Sequence, residues 1–361
     1  MPPPFSCTVD LAAAEPHDPA EWRLTGWATS ADAPIRAAHL ELAGSILAPL
    51  TWGWDRVLPG DAAATPCGFS GHLFLPGAHP AGPLPVQLVF LDEAGGELGR
   101  VDHTFVLPQP IAARATATPV KVDASHPQSA YLDLLERTLL ALPYSSTEVA
   151  RLRHEGRDWP EFAHSMVGLA RLRNLRACAE TALREGIPGD FMETGVWRGG
   201  ACILLRGVLR AFADTRRRVW VADSFDGLPP PNPEKYPADR GDTLYRFREL
   251  AVPLAQVQEN FRRYDLLDDQ VRFLEGLFSQ TLPTAPVEQL AVLRLDGDLY
   301  ESTMDALVAM YPRLSPGGFC IVDDYGAIAA CRQAVHDYRG AHGITAPIGM
   351  VDWTGAWWRK P

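Results

Sequence analysis

Between residues 189 and 324 short apolar runs and amphipathic spans take turns: GDFMETG, ACILLRGVLRAFAD, RVWVADSF, PLAQVQENFRRY, VRFLEG, LAVLRLD, STMDALVAMYPRL and GFCIVDD. No other feature restricts the fold as much. Runs of this length suit strands, and the spans, apolar at three and four spacing, suit helices. Alternation of the two predicts a mostly parallel sheet covered on both faces, a Rossmann-like α/β domain. Two further helices are expected before it, SAYLDLLERTLLAL (129–142) and AHSMVGLARLRNLRACAETALREG (163–186), and one after it, AIAACRQAVHDYRGAHG. PIGMVD and GAWWRK at the end are expected to form an antiparallel pair.

The first 107 residues read differently. WRLTGWAT, AHLELAG, SGHLFLP, PVQLVFLD and VDHTFVL are short and separated by Gly, Pro and Asp, which predicts a small all-β sandwich. EAGGE at 93–97 is expected to be a hairpin turn. Residues 108–128, rich in Pro, Ala and Thr without a period, are expected to be a linker, leaving 129–361 as the second domain. Charge supports the division. Residues 1–110 hold twelve Asp/Glu against four Arg, or −8, and the rest of the chain makes up the remaining −3 of −11. Trp22, Trp27, Trp52 and Trp54 could stack on sugar rings or fill the core, and core is the expectation.

Net charge of −11 argues against a nucleic-acid partner. No run is long and apolar enough for a membrane span. MPPPFSCTVD has neither a basic nor an apolar signal region, so a cytoplasmic protein is expected, and a homo-oligomeric one. The six cysteines, at 7, 67, 178, 202, 320 and 331, have no paired spacing and are expected to be reduced thiols.

In an open α/β sheet ligands bind beyond the carboxyl ends of the strands. The first run stops at ETGVWRGGA, where Gly195 allows a turn and Gly199 and Gly200 let a ligand approach a helix N-terminus. The spacing is not that of a dinucleotide site, and Glu193 suits a cationic amine better than a phosphate. The second run stops at Asp223, 24 residues past Gly199. Its two acceptor oxygens suit a ribose diol, with a helix cap as the alternative. At the third, EGLFSQTLP, Glu275, Gly276 and Phe278, with Ser279 beside them, could flank an adenine or simply turn the chain. The fourth and fifth stop at Asp296 and at Asp323–Asp324. Neighbouring strands lie about 5 Å apart, so three carboxylates there would repel unless a cation joined them. Oxygen ligands alone favour Mg²⁺ or another hard divalent ion; a solvated acidic turn is the alternative. An adenosine pocket with an acid for an amine, beside such an ion, describes S-adenosylmethionine facing an acceptor hydroxyl.

YLDLLERTL, EGRDWPEFAHSMVGLARLRNL, GDFMETGVWRGGA, VWVADSFDGLPPP, LRLDGDLYESTMDAL and SPGGFCIVDDYG, in this order, resemble the macrocin O-methyltransferase family over about 129–361. The resemblance implies a class I methyltransferase fold and Mg²⁺-dependent methylation of sugar hydroxyls by S-adenosylmethionine. It implies that Asp296, Asp323 and Asp324 hold the metal, with Asp296 also the base. Glu193, Thr194, Gly195, Val196, Trp197, Arg198, Gly199, Gly200, Asp223 and Ser224 would contact the cofactor. HSMVG, with Ser165 and Met166, resembles a segment closing over the methionine moiety. Arg157, Asp158 and Trp159 resemble part of a lid near the acceptor. Asp298 reads as a supporting acid or a helix cap, and Tyr325 as a further acceptor contact. His164 is expected to be structural and His336 and His342 superficial. A phenolic acceptor, or a carbohydrate-binding scaffold with a degenerate methyltransferase half, are the alternatives.

Overall fold

The computed structural model describes residues 5–15, 18–30, 34–35, 37–42, 45–56, 65–74, 81–92, 96–107 and 128–361. The chain divides into two compact units, Met1–Ala115 and Thr116–Pro361. Most of the expected linker, 108–127, and the hairpin tip, 93–95, lie outside the described residues.

Among the described residues the first unit holds seven strands: β1 (Phe5–Glu15), β2 (Asp18–Ser30), β3 (Ala37–Leu42), β4 (Ser45–Arg56), β5 (Thr65–Phe74), β6 (Gly82–Leu91) and β7 (Glu97–Leu107). They pair antiparallel in the order β1-β2-β5-β4-β3-β6-β7. The sheet folds back on itself, so that Phe5 of β1 packs against Phe90 at 5.3 Å and against Gly99 of β7. Leu24, Leu40, Phe69, Leu88, Phe90 and Phe105 fill the interior. β1 and β4 were not expected from sequence. β4 changes partner half-way: 45–50 pair with β3 and 51–56 with β5, with a register shift between Trp52 and Trp54. A strand that serves two layers cannot keep one alternation, and Pro49 and Gly53 mark the bend. Trp27 is half-buried; the side chains of Trp22, Trp52 and Trp54 lie outside those described.

The second unit begins with α1 (Ser129–Leu139), α2 (Thr147–Glu155) and α3 (Leu169–Arg184). Then β8 (Asp190–Thr194), α4 (Gly200–Ala211), β9 (Val219–Asp223), α5 (Leu254–Arg263), β10 (Val271–Glu275), α6 (Phe278–Thr281), β11 (Leu290–Leu295), α7 (Tyr300–Met310), β12 (Leu314–Val322) and α8 (Ala329–Ala341) follow. β13 (Gly349–Met350) and β14 (Ala356–Arg359) form the closing antiparallel pair. The sheet order is β10-β9-β8-β11-β12-β14-β13, parallel from β10 to β12 and reversed at β14. Every residue of β11 is buried, as a central strand with helices on both faces requires. Strand order reverses between β8 and β11, and that is where a doubly wound sheet opens its crevice.

Two local differences from expectation matter. α2 was not foreseen; Ser146 caps it through the Val149 N–H. α3 starts at Leu169 instead of at 163, because Gly168 sits at φ +80°, where no helix can continue. The freed residues His164 and Ser165 donate their backbone N–H groups to the Leu139 carbonyl instead. No described helix is long and apolar enough to cross a membrane.

Candidate active site

The parallel register sets the strand ends level. Leu295 stands between Thr194 and Val322, and Glu275 pairs with Asp223. The next residues, Gly195, Asp296 and Asp323, therefore emerge side by side. The turn after β8 needs glycine: Gly195 lies at φ +83°, and a Cβ there would run into the Asp296 carbonyl. Gly200 opens α4 directly beneath His164 and Ser165, with no space for a side chain.

A cavity of ≈ 600 Å³ opens over these ends. Gly195, Val196, Trp197 and Gly200 line it with Asp223 and Ser224 on one side; Gly276, Phe278 and Ser279 follow at the end of β10. Asp296, Asp298, Asp323 and Asp324 line the other side, and Arg157, Asp158, Trp159, Ser165 and Met166 complete it. Thr194, Arg198, Gly199 and Tyr325 are not among the lining residues. Tyr325, expected near the acceptor, is wholly buried, its hydroxyl 3.0 Å from His336 Nε2. The structure corrects that expectation: the side chain after Asp324 turns away from the cavity, as alternation beyond a strand end allows.

Asp223 is held by backbone. Val196 donates its N–H to one carboxylate oxygen at 2.7 Å and Phe225 to the other at 2.8 Å. Burial raises its pKa against the pull of those N–H groups. The Ser224 hydroxyl stands 3.4 Å from the oxygen that Phe225 holds.

The acidic side is held by charge. Arg294, on β11, is wholly buried and shares a face with Asp296 two residues on. It donates to Asp296 at 2.7 Å and makes shorter contacts to Glu193 and Asp323. Burial opposes its charge, yet Asp323, Asp296 and Glu193 together hold its pKa well above the usual value. Arg171, from α3, bonds the other Asp323 oxygen, and Asp352 at 3.0 Å. Sequence reading missed both arginines. An ionisable residue inside the apolar run LAVLRLD was the available signal for Arg294; Arg171 had none.

Glu193 has other partners than the amine expected for it. Register sets it opposite Arg294, and its second oxygen accepts from the Cys202 thiol at 2.9 Å. Burial pushes its pKa up to about 7. Burial, followed by the neighbouring Asp323 charge, pushes Asp296 up to about 6. Asp298 and Asp324 lie well above the carboxylate range, again through burial and then like charges. Asp298 sits at φ +59° and donates its N–H to Asp324 at 3.2 Å. It does not cap α7. Asp239 does so, accepting from the N–H groups of Tyr300 at 2.6 Å and Glu301 at 3.0 Å, and Asp298 is left to the cavity.

Asp296, Asp323 and Asp324 offer carboxylate oxygens within 4.8 Å of one another. Counting Glu193, Asp298 and Asp352, six carboxyl groups here meet two guanidinium groups. That excess of buried negative charge, presented only by oxygen, fits a hard divalent cation.

The macrocin O-methyltransferase (TylF) family profile matches residues 119–360. This chain belongs to the macrocin O-methyltransferase family. It is an S-adenosylmethionine-dependent O-methyltransferase, which excludes the scaffold alternative. Among its relatives, the 8-demethyl-8-(2,3-dimethoxy-α-L-rhamnosyl)-tetracenomycin-C 4′-O-methyltransferase of Streptomyces olivaceus is 57% identical over 240 residues, 63% of this chain and 92% of that one. The mycinamicin III 3″-O-methyltransferase of Micromonospora griseorubida is 54% identical over 244 residues, 64% of this chain and 96% of that one. The structure of the O-methyltransferase NovP matches with a TM-score of 0.63 and 50% identity, covering 64% of this chain and 99% of that one. The family match begins at residue 119, after β7.

Proposed function

We propose that this enzyme transfers the methyl group of S-adenosylmethionine to a hydroxyl of a sugar unit in a glycoside, and that the reaction depends on Mg²⁺ or another hard divalent cation. The observation that carries the reading is the convergence of Asp296, Asp323 and Asp324 in the cavity that Asp223 and the Gly195–Gly200 turn also line. Relatives named for a rhamnosyl-tetracenomycin and for mycinamicin III support a sugar acceptor over a phenol. We assign residues 1–107 to an accessory β domain and 129–361 to catalysis.

In this reading Asp223 accepts the ribose hydroxyls and the glycine turn receives the methionine end, with Ser165 and Met166 beside it. Gly276, Phe278 and Ser279 border the adenine. Asp296, Asp323 and Asp324 hold the cation. The cation's contribution is to lower the pKa of the acceptor hydroxyl and fix its direction. Asp296 takes the proton as base: Arg294 holds one of its oxygens and fixes its orientation, leaving the other toward the cation and the acceptor hydroxyl. Arg294 and Arg171 hold Asp323 in place. Arg157, Asp158 and Trp159 lie toward the acceptor.

Turnover measured with isotopically labelled cofactor on a glycoside panel, with and without chelator, tests this. Methyl transfer that stops on chelation and returns with Mg²⁺ is expected. Asp296→Asn should lower kcat by roughly 10²–10⁴-fold while S-adenosylhomocysteine affinity changes only a few-fold. A variant of near-normal rate would contradict both roles given to Asp296.

A further inference from the structure

Trp197 and Arg198 stand in the turn between Gly195 and α4, and both side chains reach segments outside it. One Arg198 guanidinium nitrogen lies 2.9 Å from the Pro160 carbonyl, 2.9 Å from that of Glu161 and 2.8 Å from that of Ala163. The Trp197 indole N–H donates to the Glu249 carbonyl at 2.8 Å. The guanidinium stacks on the indole, 4.1 Å from its centroid, so the two anchors are one unit. Asn260 of α5 fixes that unit from below, donating to the Arg198 carbonyl at 3.0 Å.

The two anchored segments form the mouth of the cavity. Arg157, Asp158 and Trp159 line it from one, Leu244 and Leu250 from the other. They touch across the mouth through Trp159 and Phe247, edge to face at 5.2 Å, both rings still substantially exposed. The first segment holds no helix, and the second only two short 3-10 turns, Leu244–Arg246 and Arg248–Leu250. Trp197 also adopts φ +47°, a backbone conformation that bulky residues rarely take. Such a conformation persists only where surrounding contacts enforce it, and it recurs at functional sites.

We propose that Trp197 and Arg198 are positioning residues that couple the cofactor turn to the acceptor mouth. Cofactor binding on the Gly195–Gly200 backbone steadies the turn, and the turn steadies both segments through their carbonyls. This rests on the function proposed above, since it needs a ligand in that turn. It assigns the two side chains to the acceptor's enclosure and only their backbone to the cofactor.

Hydrogen–deuterium exchange of the full chain, with and without S-adenosylhomocysteine, tests it. In the wild type the ligand should slow exchange of residues 158–163 and 245–250 at least threefold. Arg198→Met should remove that protection at 158–163 and leave the sheet unchanged, and Arg198→Lys should restore part of it. Trp197→Phe, which loses only the indole N–H, should release 245–250 more than 158–163. Equal protection in the wild type and in Arg198→Met would overturn the coupling, as would a loss spread over the whole domain. A wild type that fails to bind S-adenosylhomocysteine in a parallel titration would overturn the functional reading and the coupling with it. Binding without segment protection would overturn the coupling alone.

Discussion

The two walls of the cavity are built by different physics. On the side proposed for the cofactor, Asp223 is oriented by the backbone N–H groups of Val196 and Phe225, dipoles that a glycine turn and a strand end supply. On the acidic side Asp296 and Asp323 are oriented by full charges, Arg294 and Arg171. A dipole wall is complete without its ligand and can await a neutral ribose. A charge wall with six carboxylates and two arginines is the one that the cation proposed above would balance. The contrast predicts which wall tolerates substitution. A buried ion pair stripped of one partner costs about 3–5 kcal/mol, and a lost hydrogen bond to a charged group about 1.5–3 kcal/mol.

The largest effect should follow from Arg294→Met, which strands Glu193 and Asp323 inside the protein. A loss of about 3–5 kcal/mol in denaturant-induced unfolding is expected; a loss below about 1 kcal/mol would show that the acidic wall is not held by charge. Asp223→Asn sharpens the contrast from the other side. It keeps the shape and removes one charge, so S-adenosylhomocysteine affinity should fall by roughly 10–100-fold, equivalent to about 1.4–2.8 kcal/mol. Divalent-ion affinity should stay level. A parallel fall in ion affinity would mean that the walls are not independent. The smallest effect is expected remote from both walls. Glu136, wholly buried beside Arg176, is pushed up to about 7 by burial. The folded state thus keeps a proton that the unfolded state has released. The associated stability is complete below about pH 4.5 and is lost as pH rises through about 7. Glu136→Gln should flatten the dependence of Tm on pH between 5 and 8. If the slope survives in that variant, the proton sits on another group, and the acidic wall becomes the place to search.

The same division explains what could be read from the chain. The doubly wound sheet was legible because its strands are short apolar runs between amphipathic spans. The strand ends that line the cavity were legible because Gly195, Asp223, Asp296 and Asp323 interrupt those runs. The supports of the charge wall were not. Arg171 meets Asp323 across 152 positions and Asp239 caps α7 from 61 positions away, and no local period encodes either contact. Trp197 and Arg198 were legible as members of the turn, but the direction of their side chains depends on carbonyls in two irregular segments. The N-terminal unit showed its strands only where one alternation ran unbroken, so β4, shared between two layers, escaped notice.

Crystals soaked with Mn²⁺ in the presence of S-adenosylhomocysteine, measured for anomalous scattering, test the central claim most directly. The account predicts one peak within coordination distance of carboxylate oxygens from Asp296, Asp323 and Asp324, on the side of the cavity facing the cofactor sulfur. A peak elsewhere, or none while the cofactor product is bound, would contradict it.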